Sequence, residues 1–101
     1  MNKNISSYIE ELKVNNSVYE YHDEEFGNIR LMIIYKGEGL YFQINNEALI
    51  CEISAHSAVL SKNSIKKWDN GRTINEAECE KIINIISKYY KLSYMDDLII
   101  K

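Results

Sequence analysis

The stretch IRLMIIYKGEGLYFQINNEALICEIS, residues 29–54, decides the fold. Ile29 to Lys36 is rich in Ile and Leu and is bounded by Gly27-Asn28 on one side and Gly37-Glu38-Gly39 on the other. In the run that follows, Tyr41 and Gln43 alternate against Leu40, Phe42 and Ile44, the period-2 pattern of a strand. Gly37-Glu38-Gly39 is short enough for a hairpin loop, and its glycines can supply positive φ. Asn45-Asn46 offers a second tight turn, because Asn tolerates the left-handed region. Ala48 to Ser54 reads as a third strand and Ala58 to Ser61 as a fourth. Strands separated by two or three turn residues must be antiparallel neighbours, so the expected arrangement is a meander.

Working outward toward the start of the chain, Ile5, Tyr8, Ile9 and Leu12 recur at helical spacing within 3–13, and Asn15, Asn16 and Ser17 stop the pattern. Val18 to Tyr21 is a short alternating piece, and the acidic run His22-Asp23-Glu24-Glu25 followed by Phe26-Gly27-Asn28 reads as a loop or hairpin end. In the other direction, Thr73-Ile74-Asn75-Glu76 matches a capping box, in which Thr73 accepts from the third amide and Glu76 reaches back. Cys79, Ile82, Ile83, Ile86 and Tyr90 then mark one helical face, with Glu78, Lys81, Asn84 and Lys88 opposite. Leu98-Ile99-Ile100 is either a short edge strand or a tail on the core. The expectation is a single α+β domain over 1–101. It consists of an antiparallel meander of about four to five strands, packed on one face by a long C-terminal helix, with a short N-terminal helix.

The chain is 101 residues long, 46% hydrophobic and 27% charged, with a formal charge of −3. That length buries about two-thirds of the unfolded surface around one core, and the composition is too apolar for a disordered chain. Twelve basic against fifteen acidic residues leave no surplus for generic nucleic-acid binding. No apolar run approaches the ~18 residues of a membrane span, and residues 1–15 carry no signal-peptide core, so a cytoplasmic protein is expected. Two cysteines, Cys51 on an apolar strand and Cys79 on the apolar face of the helix, fit small buried hydrophobes better than a disulfide. Glu38 to Gln43, EGLYFQ, looks like a protease tag site, but it continues into a strand pattern and reads as native sequence.

Catalytic constellations are thin. A nucleophile needs a base within reach and a group to orient that base. His22 and His56 are the two histidines; His56 follows Cys51 by five residues in a polar turn with no oxyanion-hole loop beside it, so a surface-turn histidine is the stronger reading. No phosphate loop, zinc-protease or hydrolase motif occurs. Consecutive His22, Asp23, Glu24 and Glu25 cannot converge on one ion from a strand, so no metal site and no cofactor are expected. Lys62, Lys66 and Lys67 with Trp68 are a weak basic-aromatic footprint, and Trp68 suits the end of the core.

Acidic and aromatic character together point to a protein partner. Glu10, Glu11, Glu20, Asp23, Glu24 and Glu25 lie close in the chain with Lys13 as the one base, a local balance of −5, and Tyr19 and Tyr21 flank Glu20. Tyrosines anchor interfaces and carboxylates steer encounters with basic partners. The candidate partner-binding residues are therefore Tyr19, Glu20, Tyr21, Asp23, Glu24 and Glu25. An ordinary solvated face accounts equally well for the charges.

The segment SKNSIKKWDNGRTINEAECEKIINIISKYY, residues 61–90, resembles the C-terminal half of small immunity proteins from bacterial polymorphic-toxin and contact-dependent growth inhibition systems. The matching positions are Ser64, Ile65, Trp68, Asp69, Gly71, Thr73, Glu76, Ile82 and Ile83, with Ser-Ile-x-x-Trp as the distinguishing part. The resemblance implies a cytoplasmic protein that is not an enzyme. Such a protein binds a cognate toxin domain with a basic surface, often a nuclease, and blocks its active site or substrate cleft. The matched residues look structural, which leaves toxin recognition to the acidic N-terminal third. A monomer without direct nucleic-acid or membrane contact is expected. The alternative is a protein-interaction or regulatory domain of the same fold with no toxin, and further behind stands an enzyme using Cys51, His56 or His22.

Overall fold

The structure, a computed structural model, describes residues 18–54 and 58–101. The expected N-terminal helix, Glu10, Glu11 and His56 lie outside these described residues. Six strands form one sheet in sequence order: β1 (Tyr19–Asp23), β2 (Gly27–Ile34), β3 (Gly39–Ile44), β4 (Glu47–Ile53), β5 (Val59–Ser61) and β6 (Ile99–Ile100). The first five are antiparallel neighbours, and β6 joins β5 in parallel after the helix α1 (Glu76–Tyr94). The α+β meander with a long C-terminal helix is the fold. Its sheet has one strand more than expected, because β1 extends the short alternating piece to Asp23 and the tail forms an edge strand.

Both hairpin turns of the central meander depend on left-handed backbone. Between β2 and β3 the turn begins earlier than the glycines imply. Tyr35, Lys36 and Gly37 take φ of 52°, 54° and 97°, so β2 ends at Ile34 and Gly39 already belongs to β3. Gly39 is needed for space: a Cβ there would lie 2.8 Å from the Tyr35 ring. Between β3 and β4, Asn45 takes φ 51° as its residue type allows. Its side chain also locks the neighbouring turn, accepting from Asn28 N at 3.1 Å and donating to Phe26 O at 2.9 Å. Gly27 makes room for this clamp, since a Cβ would stand 2.4 Å from Asn45 Oδ1.

Alternation along the strands places Ile29 and Leu31 of β2, Leu40 and Phe42 of β3, Leu49 and Cys51 of β4 and Leu60 of β5 on one face. Ile82, Ile83, Ile86, Tyr89 and Tyr90 of α1 cover that face, and Ile65 and Trp68 close its end. Each such side chain, fully buried, contributes about 1.5–3 kcal/mol. The opposite face is apolar too. Met32, Ile34, Tyr41 and Ala48 form a second buried cluster with Val18 and Ile50 packed against it. This explains the unbroken Leu-Met-Ile-Ile run of β2, since a strand buried on both sides loses its polar alternation.

The start of α1 differs from the capping-box expectation. Asn75 is the N-cap, its side chain accepting from Glu78 N at 2.8 Å. Thr73 is held instead in a bridge with Lys67, and the turn between them is tied by Trp68 N to Arg72 O and Gly71 N to Trp68 O. With Thr73 fixed in extended backbone, the helix begins later, at a residue type that caps as strongly as Ser or Thr. Met95, at φ 58°, ends it. Among the described residues no helix is long and apolar enough to cross a membrane.

Candidate partner-binding face

The turn from β1 to β2 is built around Asp23. Its Oδ1 accepts the amides of Glu25 at 2.9 Å and Phe26 at 3.0 Å, the side-chain-to-backbone pattern that Asp favours in turns. Its Oδ2 accepts from Tyr89 Oη at 2.5 Å, and Lys88 Nζ stands 3.5 Å away. The Tyr89 hydroxyl first, then the two amides, with a smaller effect of Lys88, hold this carboxyl down to about 2, against an ordinary 3.8. The same bond pushes the Tyr89 hydroxyl up, with burial adding to it. The turn is thereby pinned to the helix, and Glu24 and Glu25 stand exposed at its tip.

The six candidate partner-binding residues do not form one surface. Tyr19 and Tyr21 turn toward α1, where Tyr21 stacks at 4.8 Å on Tyr89 and bonds Ser93 Oγ at 2.8 Å. Tyr19 meets Tyr94 edge-on at 5.0 Å. Glu20, one residue out of phase, lies on the other face and pairs with Arg30 at 2.9 Å. Asp23 is buried in the turn it organises. Glu24 and Glu25 remain the freely presented carboxylates of the set. His22, also exposed, meets Asn28 Oδ1 through Nδ1 at 3.1 Å.

Two joined clefts run from this turn along α1. The first, of about 710 Å³, lies between the turn residues His22 to Phe26 and the helix flank of Lys81, Asn84, Ile85, Lys88 and Tyr89. The second, of about 470 Å³, continues toward the start of the helix, with Ile44, Trp68 and Ile82 as apolar lining and Glu47, Arg72 and Glu78 at its rim. Phe26, Lys81 and Ile85 belong to both. Five carboxylates (Asp23, Glu24, Glu25, Glu47 and Glu78) line this groove against three cations, Arg72, Lys81 and Lys88. Arg72 is engaged within the protein. Its Nε and one terminal nitrogen grip Glu47 at 2.7 Å each, that nitrogen also meets Glu78 at 2.7 Å, and the guanidinium lies 5.8 Å over Trp68. Arg72, ahead of the Asn70 bond, lowers the Glu47 carboxyl below its usual range. Nothing in the sequence links Arg72 to Glu47, 25 positions earlier; only folding brings them together.

Of the motif positions, Trp68 and Ile82 line this groove and others tie the surrounding segment in place. Ser64 Oγ donates to Ser61 O at 2.6 Å and accepts from Glu52 N at 2.9 Å, fastening the segment to β4. Ile65, Trp68, Ile82 and Ile83 are buried. Asp69 N donates to Ala48 O at 2.7 Å, and Gly71 takes φ 92° in the turn toward Arg72. Thr73 and Glu76 are exposed. Trp68, read with Lys62, Lys66 and Lys67 as a basic-aromatic footprint, is buried and closes the end of the core. Cys51 is buried, and burial first and Cys79 second push its thiol well above the ordinary range. No group of three or more potential metal ligands occurs among the described residues.

Comparison with protein-family models, with curated proteins and with solved structures gives no match for this chain.

Proposed function

We propose that this chain is an immunity protein: a binding module that neutralises a toxin domain in the cytoplasm by covering its active site or substrate cleft. The observation that supports this most is the Asp23–Tyr89 brace, which fixes a turn bearing Glu24 and Glu25 at the mouth of a groove with an apolar floor. A preformed acidic projection loses little entropy on docking and speeds encounter with a basic surface. A nuclease has such a surface, because its cleft is built to attract phosphates, and carboxylates at the groove mouth imitate their charge.

The test is coexpression with the C-terminal domain encoded immediately upstream of this gene, with growth rescue and calorimetry at two salt concentrations. Nanomolar binding that restores growth is the expected result, and absence of both binding and protection refutes the reading. Glu24→Lys with Glu25→Lys should slow association and flatten its salt dependence. Unchanged association kinetics would move the interface away from this turn.

A further inference from the structure

Strand β1 pairs with β2 alone among the described residues, so it forms one edge of the sheet. In an antiparallel ladder an edge strand points every other N–H and C=O outward, ready to pair. Helix α1 runs beside this edge: Lys88 reaches Asp23, Tyr89 and Ser93 meet Tyr21, and Tyr94 meets Tyr19. Lys88 and Leu92 are one turn apart and share one flank of that helix, and Met95 follows as its left-handed cap. Leu92 is 55% exposed and Met95 87%.

We propose that the edge of β1, unpaired among the described residues, accepts an extended segment of the partner protein as an added strand. Main-chain hydrogen bonds along β1 supply the affinity, and alternate side chains supply the selectivity. On the helix side the incoming residues are apolar and rest on Leu92 and Met95. On the other side they are basic, because the exposed Glu24 and Glu25 follow at the strand's end, while Glu20 on that face is already paired with Arg30. The inference rests on the reading that the chain binds a basic protein, and it names the segment of that partner and the edge it uses.

The experiment is an amide and methyl NMR titration with a short peptide of alternating valine and lysine. Perturbations at Glu20, His22, Leu92 and Met95 are expected, with at least a tenfold weaker affinity, roughly, for a valine–glutamate peptide. Leu92→Asp combined with Met95→Asp should weaken the valine–lysine peptide by about tenfold as well, without unfolding, since both side chains are exposed. No perturbation, perturbation confined to the groove around Phe26 and Ile85, or indifference to both changes would overturn the proposal. So would pairing of two copies through this edge, seen by sedimentation. The peptide measurement needs no toxin. Peptide binding without toxin binding would sink the immunity reading alone, whereas toxin binding indifferent to the Leu92 and Met95 changes would sink the strand-addition reading alone.

Discussion

Replacing Tyr89 by Phe removes one hydroxyl from the joint between helix and turn, and its cost can be worked out in advance. The hydroxyl donates at 2.5 Å to a carboxylate, and the Tyr89 ring is 4% exposed. Hydrogen bonds to charged groups contribute about 1.5–3 kcal/mol. The low end applies here, because Asp23 keeps both turn amides and Lys88 at 3.5 Å. The expected loss is about 1.5 kcal/mol at neutral pH, equivalent to a fall in melting temperature of roughly 6–12 °C for a domain this size. The loss should also depend on pH in a definite direction. Asp23 is depressed in the folded state to about 2 from 3.8, so its contribution is complete above 3.8 and disappears as pH falls through about 2. Without the Tyr89 hydroxyl, the largest cause of that depression is gone. The difference between Tyr89→Phe and the parent, measured by urea denaturation, should therefore shrink steadily from pH ~4 to pH ~2. A difference of the same size at both ends of that window would show that the hydroxyl acts by packing alone and that the carboxylate is not its partner.

Three further outcomes follow from the fold. Asn75→Ala should cost about 1 kcal/mol in urea denaturation, and Thr73→Ala should cost close to nothing, because Asn75 makes the capping bond. Trp68→Ala should destabilise by about 3–5 kcal/mol and lower the urea midpoint accordingly, since Trp68 is 3% exposed and closes the end of the core. Cys51 should resist thiol reagents in the native protein and become reactive once denaturant opens the core, because its thiol is buried and its ionisation suppressed; rapid native labelling of Cys51 would contradict this packing.

What the sequence reveals and conceals follows from the range of the interactions involved. Strands β2 to β4 are legible because their signals are local: alternating apolar residues, and an Asn where the backbone must turn left-handed. Helix α1 is legible for the same reason, yet its first residue is not. The bridge between Lys67 and Thr73 that delays the helix is a tertiary restraint competing with a good capping sequence. Tyr19 and Tyr21 show by their spacing that they share a face, but spacing cannot say that a helix 70 residues away covers it. Asp23 is the sharpest case. Within an acidic run it counts as one more surface charge, whereas Tyr89 and two amides make it the internal anchor of the turn. The Arg72 bond to Glu47 is equally silent, because long-range ion pairs leave no periodic trace.

The parallel pairing of β6 with β5 also sets an order of assembly. Every other strand pair joins neighbours through a short connection, so those hairpins can zip one after another with little entropy lost to loop closure. Ile99 and Ile100 reach their places beside Val59 and Leu60 only after the whole stretch 62–98, helix included, has been laid down. That closure costs more loop entropy than any of the hairpins, so it should trail them in folding. Amide protection at Ile99 and Lys101, whose N–H groups bond to Ala58 O and Leu60 O, is thus a latch signal. It should appear once the helix has brought the chain back to the sheet, as pulse-labelled hydrogen exchange would read.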